Sequence, residues 1–126
     1  MTIDIVFTDQ AITERAAGPG PGMGALVEFH GVVRDQEAGR TIAAIAYEVY
    51  QPMAERVIAE IVRELAVENP CESVRIVHRF GNVPAGEASI YVAIASAHRG
   101  EAFRLLDKLM TRLKSDAPIW KAAFLE

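Results

Sequence analysis

Leu113-Lys114-Ser115-Asp116-Ala117-Pro118-Ile119-Trp120-Lys121 is the stretch around which the chain is organised, since an amphipathic helix leaves there through a proline into a tryptophan flanked by lysines. Phe103, Leu106, Leu109, Met110 and Leu113 lead into it at helical spacing, a pattern that turns one helix face into a core. Pro118 cannot continue that helix and biases Ala117 toward extended backbone, which predicts a short strand carrying Ile119, Trp120 and Lys121. Lys114, favoured by the helix dipole in a last turn, can then converge with Lys121. Taken alone, the same residues also read as a solvated helix-end lysine and a surface lysine beside a buried tryptophan, because most lysines are exposed.

The 126 residues, 51% of them apolar, suffice for one compact domain spanning 1–126 and are too few for two. A formal net charge of −4 argues against a general nucleic-acid binder while leaving room for a local cationic pocket that holds a small anion. With Cys71 as the one cysteine, neither an intrachain disulfide nor a cysteine-based metal cluster can form, which suits a reducing, cytoplasmic setting. The N-terminus lacks a basic segment followed by an apolar one, and no apolar run reaches bilayer length, so a soluble protein is expected. His30, His78 and His98 lie far apart and lack the helical spacing of common zinc motifs, so neither a metal nor a cofactor is expected. Gly-x-Ser-x-Gly, the phosphate-cradling Gly-x-x-x-x-Gly-Lys-Ser/Thr and Gly-x-Gly-x-x-Gly are all absent, which removes the commonest hydrolase and nucleotide-binding readings.

Along the chain, Ile3, Ile5 and Phe7 alternate as a first strand, residues 11–17 suit a short helix, and Gly18-Pro19-Gly20-Pro21-Gly22 suits a mobile surface loop. Gly24 to Val33 reads as a strand with Leu26, Glu28 and His30 on one face and Ala25, Val27 and Phe29 on the other; Arg34 to Arg40 is a polar loop. Thr41 to Tyr50 is a strand expected to pair with the preceding one as a long-looped hairpin, with Arg34 at its mouth. Pro52 opens a helix whose apolar series is Met53, Val57, Ile58, Ile61, Val62 and Leu65. Ser73–Phe80 and Ala88–Ser96 read as strands of a half-buried sheet, joined by turn chemistry at Gly81–Gly86. His98 and Arg99 then fall at a strand-to-helix junction, where anions are attracted. The order of elements predicts an α+β fold with a mostly antiparallel sheet and two long helices.

What remains for chemistry is a scattered cationic set at element ends: Arg34, His98, Arg99, Lys114 and Lys121. Element ends are where sites are usually built. Arginine suits phosphate through its planar fork, and a lysine beside other cations can serve as general acid or base near neutral pH. His78-Arg79 reads more simply as a polar strand end with a structural hydrogen bond, and Cys71 as a small half-buried residue.

Five segments in order give the chain a resemblance to the large, catalytic subunit of molybdopterin synthase: Gly24–Arg34, Tyr50-Gln51-Pro52-Met53-Ala54, His78-Arg79-Phe80-Gly81, Ser96-Ala97-His98-Arg99 and Lys114–Lys121. The resemblance covers most of the chain from Gly24 onward. It implies an α/β hammerhead-type fold and a homodimer that binds a small ubiquitin-like sulfur-carrier subunit at each end, forming a heterotetramer. It also implies sulfurtransferase activity in molybdenum cofactor biosynthesis: sulfur passes from the carrier's C-terminal Gly-Gly thiocarboxylate to cyclic pyranopterin monophosphate, forming the molybdopterin dithiolene. By the same resemblance Lys114 and Lys121 are the catalytic lysines, Val32, Val33 and Arg34 form the substrate-binding turn, and His98 and Arg99 bind phosphate from across the dimer interface. Phe29 and Met110 match pocket-lining positions. The chain departs from the family just beyond Lys121, where a basic residue and a glutamate usually follow and Ala122 and Ala123 stand instead, with Glu126 the acid that comes next. Two rivals stay open: a non-catalytic paralogue that keeps only the carrier-binding surface, and a small enzyme binding another phosphorylated metabolite.

Overall fold

The computed structural model describes residues 1–126. Alternating apolar residues give β1 (Thr2–Thr8), β2 (Ala25–Val32) and β6 (Ser73–Arg79), and a near-continuous apolar run gives β8 (Ala88–Ser96); they form one sheet in the order β1-β6-β8-β2. Only the β1–β6 pairing is parallel. The short strands β3 (Gln36–Glu37) and β4 (Arg40–Thr41) form a hairpin of their own, and β7 (Gly81–Pro84), β5 (Ala44–Val49) and β9 (Ile119–Leu125) make a second sheet in that order. The helices are α1 (Gln51–Ala66) and α2 (Arg99–Asp116). The architecture is α+β, as the order of elements predicts.

Both helices lie on one face of the four-stranded sheet. Ile58, Ile61 and Val62 of α1 and Ala102, Leu105, Leu109 and Leu113 of α2 close over Val74, Ile76, Ile90, Val92 and Ile94. Complete burial of Leu105 or Leu109 contributes about 1.5–3 kcal/mol each relative to exposure. Ala117 ends α2 in extended backbone, φ −81° and ψ 139°, as Pro118 dictates. The opposite face is covered by the segment after β1, whose Ile12 and Ala16 pack on Val77, Tyr91 and Ala93. A second core, Val33, Ile42, Ile45 and Val83, lies against the smaller sheet. No helix is long and apolar enough to cross a membrane.

Several expectations are corrected. Residues 11–17 form no helix; they run as an irregular strap, tied by the Ala16 N–H donating to Glu28 Oε1 at 2.7 Å. The Gly-Pro loop is irregular as expected, and the Gly20 N–H donates to Glu72 Oε1 at 3.1 Å. β5 does not pair with β2: β2 pairs with β8, while β5 lies between β7 and β9. Gly81–Pro84 is thus a strand as well as part of a turn. Because α1 and α2 cover one face of β8 and the strap helps to cover the other, β8 is buried on both faces rather than half-buried. Phe103 is 56% exposed; Ala102 and Leu105 take the core face of α2 instead.

Candidate functional site

Arg34 follows the last strand residues of β2, where the ladder slips by a bulge between Gly31 and Val32. A Cβ at Gly31 would meet Ile90 Cγ2 at 2.6 Å, so only glycine allows the strands this close. Past the bulge, Val32 is exposed and Val33 is buried in the second core. The backbone then enters β3 and reverses through Ala38 and Gly39, both at positive φ (51° and 77°), a turn suited to a two-residue hairpin. This hairpin presents Glu37. Its carboxylate Oε1 stands 3.7 Å from Arg34 Nη2 and 3.9 Å from Lys121 Nζ, and its side chain is only 19% exposed. One carboxylate therefore joins the two cations, whose own side chains are far more open.

Lys121 is placed by β9, opposite Tyr47 of β5. The pairing then skips from Lys121–Tyr47 to Ala123–Ala46, so Ala122 is the extra residue of a bulge and Ala123 lies half-buried beside Ala46. Glu126 does not approach Lys121; it pairs with Arg40 on the β3–β4 hairpin. Trp120 is 53% exposed rather than buried, and with Tyr47, Tyr50 and Phe80 it lines an open groove of about 560 Å³ beside the lysine strand.

Lys114 sits exposed in the last turn of α2, outside every ion pair of the chain. α2 leaves the end of β8 and packs back over β8 and β2. Since Val32 lies opposite Ala88 at the start of β8, the C-terminal end of α2 points toward the end of the sheet that carries Val33 and Arg34. Phe29 and Met110 both pack, partly buried, on the main core.

His98 and Arg99 are at the other end. His98 is the N-cap of α2 in extended backbone and its imidazole makes no capping bond; Ser96 Oγ donates to its carbonyl at 2.6 Å. Within one copy of the chain, His98 and Arg99 are therefore not brought together with Arg34, Lys114 and Lys121. Glu37 is a site residue that the sequence pattern does not single out; its one local signal is its place three residues after Arg34.

His78 is buried, and burial pushes its pKa down to about 4. Its Nδ1 donates to the Arg79 carbonyl at 2.9 Å, and its ring meets Tyr47 edge-on at a centroid distance of 5.5 Å. That is the structural hydrogen bond expected of the motif. On the strap face, hydrogen bonds from the Tyr91 hydroxyl at 2.6 Å and from the Ala16 N–H hold the Glu28 carboxyl below its ordinary range. The Cys71 thiol is half-buried, and burial raises its pKa.

The fold defines a class first: a four-stranded sheet backed by two helices, with a three-stranded side sheet that brings a lysine to an arginine turn. The family model described as MoaE protein matches residues 4–116, and the chain belongs to that family. It is 35% identical over 123 residues to a molybdopterin synthase catalytic subunit of Pasteurella multocida, covering 94% of this chain and 82% of that protein. It is 39% identical over 98 residues to the protein of the same name from Oryza sativa subsp. indica, covering 78% of this chain and 51% of that one. The chain thus spans about half the length of several curated relatives it matches. Among solved structures, molybdopterin synthase from Staphylococcus aureus superposes with a TM-score of 0.82 at 30% identity, covering 97% of this chain and 93% of that one.

Proposed function

We propose that the chain is the catalytic subunit of molybdopterin synthase, a cytoplasmic sulfurtransferase acting as a single domain. In this reading it moves sulfur from the C-terminal thiocarboxylate of a small carrier subunit to cyclic pyranopterin monophosphate. The observation that carries it is the shared contact of Arg34 and Lys121 with Glu37, at the end of the sheet toward which the C-terminal turn of α2, carrying Lys114, points. Arg34 and Lys121 share one carboxylate, so the pair retains positive charge for an anionic substrate. The cysteine is poorly placed to carry sulfur: half-buried, its thiol held in the protonated form by burial. The sulfur has to arrive on a partner.

Lys114 gives a proton to the oxygen that leaves the substrate carbon as the thiocarboxylate sulfur bonds there, so a C–O bond breaks as the C–S bond forms. Water then cleaves the acyl–sulfur bond, leaving the sulfur on the substrate and the carrier as a carboxylate. Lys121, the second catalytic lysine, and Arg34 face the anionic groups, Val32 and Val33 form the turn that presents Arg34, and Phe29 and Met110 line the pocket. The open aromatic groove beside Lys121 suits the carrier's approach. His98 and Arg99 reach the site from a second copy of the chain. β2 is an edge strand, and Leu26 and Val32 on it and Phe103 on α2 are exposed apolar side chains suited to such a contact. Two carriers on that homodimer complete a heterotetramer.

The test is reconstitution of the purified chain with thiocarboxylated carrier and cyclic pyranopterin monophosphate. Molybdopterin formation is the expected result; its absence with an active carrier overturns the enzyme reading. A second reading, a carrier-binding module without turnover, is favoured by one feature, the small residues at the Ala122–Ala123 bulge beside Lys121. Tight carrier binding without product would select it.

A further inference from the structure

Arg79, the last residue of β6, is nearly sealed from solvent. Its side chain is 11% exposed, Nη1 donates to Glu87 Oε1 at 2.7 Å, and its buried Nε has no acceptor. A buried guanidinium with one carboxylate partner and an orphaned N–H is a costly way to end a strand. Glu87 shows what the arrangement holds. Its backbone carbonyl accepts the Val33 N–H at 3.0 Å, and the neighbouring Gly86 N–H donates to the Val33 carbonyl at 2.8 Å. Two residues further on, Ser89 Oγ donates to the Gly31 carbonyl at 3.2 Å. The backbone from Gly31 to Val33, including the bulge, is thus clamped by the 86–89 segment, and Arg34 is the next residue.

We propose that Arg79 and Glu87 are positioning residues for the Val33–Arg34 turn: the buried guanidinium fixes Glu87, and the backbone around Glu87 fixes the direction in which Arg34 leaves the sheet. As a role in substrate binding this rests on the site reading above; as a statement about the turn it does not. Neither residue touches substrate. Both act through Val33, so their loss lets the turn wander while the helix-backed core stays closed. The half-exposed Glu87 is the practical handle, because its substitution disturbs less packing than that of Arg79.

The experiment has two arms. Amide hydrogen exchange compares the full chain with Glu87→Ala and Glu87→Gln, the latter keeping an oxygen for Arg79. Exchange at Val33 and Gly86 should accelerate about tenfold or more in Glu87→Ala, stay near wild type in Glu87→Gln, and leave the α2 amides unchanged. Unchanged exchange at Val33, or acceleration throughout the chain, overturns the proposal. In the reconstituted reaction, Glu87→Ala should raise KM for the pterin about tenfold with kcat within about twofold, and should add less than about twofold in an Arg34→Ala background. Full additivity there overturns the positioning role. If wild type makes no product, the function reading fails and the exchange result alone decides this one.

Discussion

Arg99 and Lys114 stand at opposite ends of α2, about 22 Å apart along its axis at the helical rise per residue, farther than one small anion can bridge. A site that uses both must draw them from two copies of the chain. Arg99→Ala and Lys114→Ala, each inactive alone, should therefore complement when mixed and allowed to exchange subunits. Heterodimers carrying one intact site would restore about a quarter of wild-type activity for random pairing in a symmetric dimer. No recovery in verified heterodimers would place His98 and Arg99 outside the site.

Glu37 partly neutralises Arg34 and Lys121, the cations to which the proposed function assigns anion binding. Glu37→Gln should therefore tighten binding of the anionic substrate roughly two- to five-fold, the scale of partly exposed ion pairs, and steepen its loss with added salt. Titration at two ionic strengths checks this. Weaker binding would mean that the carboxylate orders Arg34 and Lys121 more than it competes for them.

Neutral His78 also predicts a pH effect. The folded protein resists protonating this ring until about pH 4, whereas an unfolded histidine takes up its proton near 6.5. The depressed value therefore contributes stability above the unfolded pKa, and this is lost as pH falls from about 6.5 toward 4, amounting to about 3 kcal/mol at most. Denaturant unfolding of wild type and His78→Gln across that window should converge as pH falls. Parallel curves would contradict the assignment.

Gly31→Ala places a methyl group against Ile90 Cγ2 at the bulge before Arg34. It should cost about 1–3 kcal/mol of stability and reduce turnover further by shifting the turn, both readable from unfolding curves and initial rates. A silent substitution would show that the bulge has slack.

Much of this was legible in the chain because it is local. Pro118 set the end of α2 and the start of β9, the β8–α2 junction placed His98 and Arg99, and Pro52 opened α1. What escaped was long-range pairing. Nothing in Thr41–Tyr50 by itself says that its partners are Gly81–Pro84 and Ile119–Leu125 rather than the adjacent β2, and adjacency favours the simpler hairpin. The helix expected at residues 11–17 lost to tertiary contacts, Ile12 and Ala16 on the sheet face and the Ala16 N–H on Glu28. For the site, the cations were visible as residue types at element ends, but Glu37 and the Arg79–Glu87 pair gain meaning only from which backbone they approach.

The measurement that bears most directly on the central claim is the single-turnover rate of molybdopterin formation by wild type and Lys114→Ala, each with thiocarboxylated carrier and cyclic pyranopterin monophosphate. Because Lys114 is exposed and outside every ion pair, its removal should leave stability within about 0.5 kcal/mol. The rate should fall about 10²- to 10⁴-fold, the range for loss of a proton-transferring group. A wild-type rate in Lys114→Ala would contradict the assignment.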